Sequence, residues 1–442
     1  MSELSNDLMK RVRARFAHVD RCPVQGERIF FENAGGALTL NSVVETARSL
    51  AAMADNQGRD NPASQEMSRV INEGRQAARL FLNAPPEPGG GRVIVGESGT
   101  ELLFRLIMNA CLGHAPGVVL GSTLEHPATR SACRRWARIG GHDHVLVRHD
   151  DADGTVGPQD YGAAMTPEVR VATIVHASPV TGMRVDVAAI AAQIRQVAPA
   201  CTIIVDGIQH AAHGQVDLSA DDIDGYVISP YKVFARHGFG LAWISDRLAR
   251  FDHDGLEGAP AGNWELGTRD AGAYACFSQV VSYLEWLGAQ TSDAARPRAR
   301  IEAAGRAIHA HEKALVEAMI HGTGNLPGLA DIAGLQIIGG AQNPAREGLV
   351  SFAVDGMDAR DVVAQLNENR IRTHMRSNDH YSGNVLDPLG LDGCVRVSLC
   401  HYNSMAEVSR FLGVIRTIVQ QDAAGGGAGP PEKARVSPRG GG

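Results

Sequence analysis

Two side chains of opposite charge stand at the ends of short apolar runs. Ile203-Ile204-Val205 ends on Asp206, and Tyr226-Val227-Ile228 ends on Ser229 and then Lys232. Runs of this length, bounded by polar residues, predict buried strands of a parallel sheet. In open α/β sheets a ligand sits just outside the carboxyl ends of the strands. Asp206 and Lys232, 26 residues apart in sequence, are therefore expected at one rim, either as a structural ion pair or as a site. Gln209, three residues past Asp206, can reach the same place if the chain turns there. Other stretches have chemistry of their own. Gly96-Glu97-Ser98-Gly99-Thr100-Glu101 follows the apolar Val93-Ile94-Val95 and opens a long apolar helix. A strand, a Gly-Thr turn and a helix start make an anion site, because free N–H groups and the helix dipole both favour phosphate. His126 precedes Pro127 at the start of another helix, and an imidazole can move protons near neutrality. Arg396 offers a two-point fork for a carboxylate. Each has a plain alternative: a common turn, an inconsequential histidine, a surface arginine.

The elements that must position these groups follow in order. Leu8, Val12 and Phe16 mark an N-terminal helix. Arg28-Ile29-Phe30-Phe31 is a strand running into Asn33-Ala34-Gly35-Gly36, whose small residues let backbone approach a ligand. Residues 42–83 read as two helices around a loop at 56–64. Further strands are expected at 118–120, 171–176 and 238–243, with a helix over 187–197 and a helical stretch over 271–320. Residues 334–420 alternate strands and helices, and the tail from Asp422 is Gly, Pro, Ala and charge, a composition that cannot form a core.

The set strand-Asp206-x-x-Gln209, then strand-Ser229-x-x-Lys232, then a Gly-containing strand, resembles the pyridoxal-phosphate (PLP) enzymes of fold type I. The resemblance is to the class V aminotransferase and cysteine desulfurase group, which also includes selenocysteine lyase-like and isopenicillin N epimerase-like enzymes, and it covers roughly residues 28–418. It implies an α/β fold, with a large domain built on a mostly parallel seven-stranded sheet and a small C-terminal α/β domain. The implied division is an N-terminal segment 1–27 packing on the small domain, a cofactor domain 28–270, a crossing helix and small domain 271–420, and a disordered tail 421–442. Lys232 is then the Schiff-base lysine, Asp206 the partner of the pyridinium nitrogen, and His126 the ring-stacking and proton-moving histidine. Gly99, Thr100, Ser229 and Tyr231 face the phosphate, and Gln209 donates to the phenolic oxygen. Thr268, in Glu265-Leu266-Gly267-Thr268, reaches a partner subunit's cofactor, which implies a homodimer with its active site at the interface. Arg396, in Arg396-x-Ser398…Tyr402-Asn403, binds the substrate α-carboxylate, and the turn Asn33, Ala34, Gly35 lies on the substrate side. The chain departs from the desulfurase pattern at Pro179, where Asn is usual, so that contact is lost or passes to Ser178. It also has Tyr231 where His is commoner. Above all, the stretch from Arg372 to Asn384 has no cysteine, which disfavours a persulfide mechanism. Its His374, Arg376, His380 and Tyr381 could recognise a polar or acidic side chain, or form a solvated loop.

Composition narrows the rest. The net charge of −7 argues against a nucleic-acid binder. No apolar run of about 18 residues predicts a membrane span, and the N-terminus lacks the order of a signal peptide. Seven scattered cysteines without a CxxC pair predict reduced thiols and a cytoplasmic protein. His210 and His213 have the spacing of a metal pair, but no third ligand is visible and no metal is expected. The expectation is a PLP enzyme acting on a small amino acid as a transaminase or lyase. Desulfuration and epimerisation follow, and a non-catalytic binding relative comes last.

Overall fold

The computed structural model describes residues 4–86, 88–260 and 262–425. Its central sheet has seven strands in the order Arg92–Gly96, Gly240–Ile244, Gly225–Ile228, Thr202–Asp206, Val169–Val175, Val118–Ser122 and Asp143–Val147. Gly240–Ile244 runs antiparallel to both its neighbours, and the remaining pairs are parallel. Five strand ends at one rim thus lead directly into Ser98-Gly99, His126, Ala177, Asp206 and Ser229. The central strands are buried throughout, which is why they read as unbroken apolar runs. The helix Gly99–Gly113 packs Leu102, Leu103, Leu106, Ile107 and Ala110 against the sheet. That spacing puts all five on one helical stripe.

The smaller sheet has four strands in the order Leu335–Ile337, Leu349–Val354, Gly393–Ser398 and His374–Ser377, every pair antiparallel. It is therefore not an interleaved parallel unit. The helices Ala359–Glu368 and Met405–Gly425 and the end of Pro297–His321 contribute to its core. Ile29 and Phe31 join this core, and Ile29–Phe30 pairs in parallel with Ile371–Arg372. Residues 29–31 thus pack with the small unit, although they were expected to open the large one.

Four other expectations change. The stretch 271–320 is two helices, Ala271–Thr291 and Pro297–His321, broken where Pro297 restarts the helix at its first turn. His374–Ser377 is a half-buried strand inside what read as a loop. Its polar residues carry no strand signal, and its pairing with Gly393–Ser398 decides the matter. The N-terminal helix Asn6–Arg13 lies at the junction of the two units: Phe16, just beyond it, packs against Phe234, Tyr283 and Tyr402. The last helix continues to Gly425, past the expected start of the tail, and residues 426–442 lie outside the described ones. Among the described residues, no helix is long and apolar enough to cross a membrane.

Phe411 is fully buried and packs edge-on against Phe31 and Phe352, with ring centroids 6.1 and 6.4 Å away. Phe411→Ala should lower stability by about 3–5 kcal/mol, seen as a shift of the denaturant midpoint. An unchanged midpoint would mean that this core does not hold the small unit together.

Candidate active site

A cavity opens at the carboxyl rim. Thr100, His126, Ala177, Pro179, Asp206, Gln209, Ser229, Tyr231 and Lys232 are among its lining residues. Residues more than a hundred positions apart meet here because each follows a strand end.

Lys232 ends a single helical turn, Pro230–Lys232, and is 9% exposed. Its Nζ donates to Gln209 Oε1 at 3.3 Å. Burial pushes its amine down to about 7, the Arg396 and Arg376 cations push the same way, and Asp206 opposes them. Asp206 accepts from the Ile208 N–H at 3.1 Å and from Thr129 Oγ at 3.2 Å. Burial raises its carboxyl, against the effects of the Ile208 N–H and Lys232. Thr129 was not singled out from the sequence. The signal was there, since it lies three residues after His126 on the helix Pro127–Gly140 and so shares its face.

His126 caps that helix: its Nδ1 accepts the Ala128 N–H at 3.0 Å. Burial, followed by Lys232, Arg376 and Arg130, pushes its imidazole down to about 3. It therefore stays neutral in physiological conditions and does not titrate near neutrality as its residue type suggested. A neutral ring suits stacking, and Tyr381 stands edge-on to it at 4.8 Å. Beside it, burial and then the charge of Asp206 push the Glu125 carboxyl up to about 8. Glu125 keeps its proton at neutral pH and adds no second negative charge beside Asp206.

The anion end is built by close approach. Ser98 caps the helix Gly99–Gly113 by accepting the Glu101 N–H. A side chain at Gly99 would come within 2.4 Å of Ser229 Oγ, and one at Gly240 within 2.3 Å of the Ser98 backbone. Small residues at both places let the strand and helix start close on one another. Tyr231 stacks on His237 with centroids 4.3 Å apart.

Arg396 is 1% exposed and donates to the Pro179 carbonyl at 2.9 Å. Among the described residues, no carboxylate lies within ion-pair distance of it. Burial lowers its guanidinium to about 10, and Arg376 adds to the shift. Pro179 thus keeps a role at the site through its backbone. Ser178 Oγ accepts the Val180 and Thr181 N–H groups, and Ser178 is not among the residues lining the cavity. Asn33 is also turned away. Its side chain donates to the Ser398 carbonyl at 2.8 Å and accepts from Tyr402 Oη. The Ala34 N–H donates to Ser398 Oγ at 2.9 Å, and Gly35 is exposed. This turn contacts the lysine segment from outside, through Gly36 and Tyr231. His374 pairs with Glu32 at 3.3 Å. The Arg376 guanidinium lies 3.6 Å over the Tyr381 ring, close enough for its charge to act on Lys232 and His126. Thr268 is exposed in its loop and does not line the cavity. His210 and His213 do not converge on one point: they pair with Glu347 and Glu312 respectively.

The model of the family described as "Aminotransferase class-V" matches residues 29–261 and 263–411. The chain belongs to the class-V aminotransferase family. It is a PLP-dependent enzyme of the fold type I class. It is similar to a probable cysteine desulfurase of Xylella fastidiosa, 25% identical over 92% of this chain and 94% of that protein. It is also similar to the cysteine desulfurase-like protein ustD of Aspergillus flavus, 27% identical over 90% of this chain and 88% of that protein. Among solved structures it resembles a cysteine desulfurase of Thermococcus onnurineus with a TM-score of 0.78, 22% identity, and coverage of 95% of this chain and all (100%) of that one. The cleft fits the cofactor: it offers a buried carboxylate, a near-neutral lysine amine and an open helix N-terminus.

The Lys232 amine should react with acetic anhydride in the cofactor-free protein at a rate that falls about tenfold per pH unit below a midpoint near 7. Removing a nearby cation favours the ammonium, so Arg396→Gln should move the midpoint upward. Mass spectrometry of the Lys232 peptide reads both. An ordinary lysine midpoint in the unaltered protein would contradict the electrostatics described here.

Proposed function

We propose that the protein acts on a small amino acid, with Lys232 as Schiff-base lysine and α-proton carrier, in a transaminase or lyase reaction. The observation that carries this is Arg396: a guanidinium 1% exposed, without a carboxylate partner among the described residues. A buried cation left in this state is a strong site for an incoming carboxylate. Its charge acts on Lys232, so the α-carboxylate and the amine belong to one site. When bound, the cofactor supplies an electron sink for the carbanion. Asp206 would hold its protonated ring nitrogen, with Thr129 steadying the carboxylate. The helix start at Gly99 and Thr100, with Ser229 and Tyr231, would hold its phosphate. His126 would cover the ring face. Lys232, near neutrality once free, is suited to take and return a proton.

Desulfuration through a persulfide is less well supported. No cysteine lines the cavity among the described residues. Burial holds the Cys394 thiol at about 11, whereas a nucleophilic thiol needs a lowered pKa. Arg376, stacked on Tyr381, supports a substrate side chain that is polar or acidic. The same reading includes a cytoplasmic homodimer. All seven cysteines are free, which suits a reducing compartment, and Thr268, exposed outside its own cleft, suits contact with a second copy.

The visible absorbance of the PLP-loaded protein tests this across a panel of amino acids. A stable loss of the band, reversed by a keto acid, identifies a transaminase. A band that recovers unaided while a keto acid or side-chain fragment is released identifies a lyase. Lys232→Ala should lower turnover by at least about a thousandfold, and full activity in that variant would overturn the assignment.

A further inference from the structure

Behind the cleft, a buried chain of polar groups runs from the lysine into the small unit. Lys232 Nζ donates to Gln209 Oε1 at 3.3 Å, Gln209 Nε2 meets His213 Nε2 at 3.4 Å, and His213 Nδ1 meets Glu312 Oε2 at 2.8 Å. Gln209, His213 and Glu312 are 6%, 3% and 2% exposed, too buried for water to replace these partners freely. An amide nitrogen only donates, so His213 Nε2 accepts here, and the ring proton sits on Nδ1, directed at Glu312. This order fixes the amide: its nitrogen faces His213 and its oxygen faces Lys232.

A second proton on His213 reverses the order. Nε2–H then needs an acceptor, the Gln209 oxygen turns to it, and the amide N–H₂ faces the cleft. An acceptor suits a lysine ammonium, whereas a donor suits the phenolic oxygen of the cofactor. We propose that Glu312 and His213 are positioning residues that set which end of the Gln209 amide faces the cofactor. The inference rests on assigning the cleft to PLP, and goes beyond it by giving a task to two groups that do not line the cavity.

The surroundings fit this role. Burial opposes charge on His213, but the Glu312 carboxylate raises its imidazole overall. Burial also raises Glu312 itself, so the pair holds on to a shared proton. Glu347 favours charge on His213 and Lys232 opposes it. Cys400 completes the cluster, its thiol held well above its usual range by burial, and His401 lies near enough to feel the His213 charge. Any side chain at Gly348 would come within 3.0 Å of Glu312 and 3.2 Å of His213 Nδ1.

The readout is the pH midpoint of the visible band in the PLP-loaded protein. A donor on the phenolic oxygen competes with the Schiff-base proton for its charge, so loss of that donor raises the midpoint. Glu312→Gln, close in shape, removes the anion that lets His213 take a second proton. It should raise the midpoint by about one unit, the scale of one hydrogen bond to a charged group. Gln209→Leu should raise it at least as much, and adding Glu312→Gln to Gln209→Leu should change nothing further. His213→Asn gives the same comparison if Glu312→Gln does not fold. An unchanged midpoint in Glu312→Gln, or a shift that persists in the Gln209→Leu background, overturns the inference while leaving the cofactor in place. If the unaltered protein shows no visible band with PLP, the cofactor reading fails and this inference fails with it.

Discussion

The cleft buries more positive charge than negative. Arg396 is almost wholly enclosed, Lys232 nearly so, and the carboxylate whose charge acts on Lys232 is that of Asp206. Burying a cation without a counter-ion is costly, so the seam between the two units has to be held by other contacts. Ser351 Oγ donates to the Val180 carbonyl at 2.6 Å, and the Glu347 N–H to the Gly182 carbonyl at 2.9 Å. Arg346 donates to the Thr181 carbonyl at 3.1 Å. The pairs His210–Glu347 and His213–Glu312 cross the same seam at 2.7 and 2.8 Å. These contacts clamp the loop 177–184 between the sheets and press the Pro179 carbonyl onto Arg396. Much of the polar architecture is thus arranged around a charge that an anionic substrate would neutralise.

The groups legible in the sequence are those whose position follows from local structure. Asp206 and Lys232 end apolar runs, Gly99 follows a strand and starts a helix, and His126 precedes a first-turn proline. Each placement needs only the periodicity of one segment and the rule that ligands gather at carboxyl strand ends. Apart from Thr129, the groups that escaped notice depend on distant pairing. Glu312 and Glu347 read as ordinary charges on a helix and in a loop, and only the docking of the small unit brings them against His213 and His210. His374–Ser377 is a strand because Gly393–Ser398 lies beside it, not because its own residues favour one.

The Arg-x-Ser…Tyr-Asn signature combines one residue that bears on the cleft with others that hold backbone. Only Arg396 acts on the cleft. Ser398 Oγ accepts the Ala34 N–H at 2.9 Å, Tyr402 Oη accepts the Leu38 N–H at 2.9 Å, and Asn403 donates to the Phe30 carbonyl at 3.1 Å. Asn33 answers from the other side. These polar residues lock the turn 33–38 onto the small unit. That turn in turn supports the lysine segment, where the Ala37 N–H donates to the Tyr231 carbonyl at 3.2 Å. Their effect on chemistry is indirect, through the position of Tyr231 and its neighbour Lys232.

The charge imbalance also bears on when the lysine acts. Arg396 is the largest electrostatic influence depressing Lys232, second only to burial. A substrate carboxylate on Arg396 would cancel that influence. The freed amine would then be a stronger base with substrate in place than without it, which is when an α-proton has to be taken. Arg376 adds to the depression from the other side. A substrate whose side chain also carries negative charge would relieve both cations and raise the amine further than one whose side chain is neutral. On the proposed reading, substrate choice and base strength would be coupled through the two arginines whose charges depress Lys232.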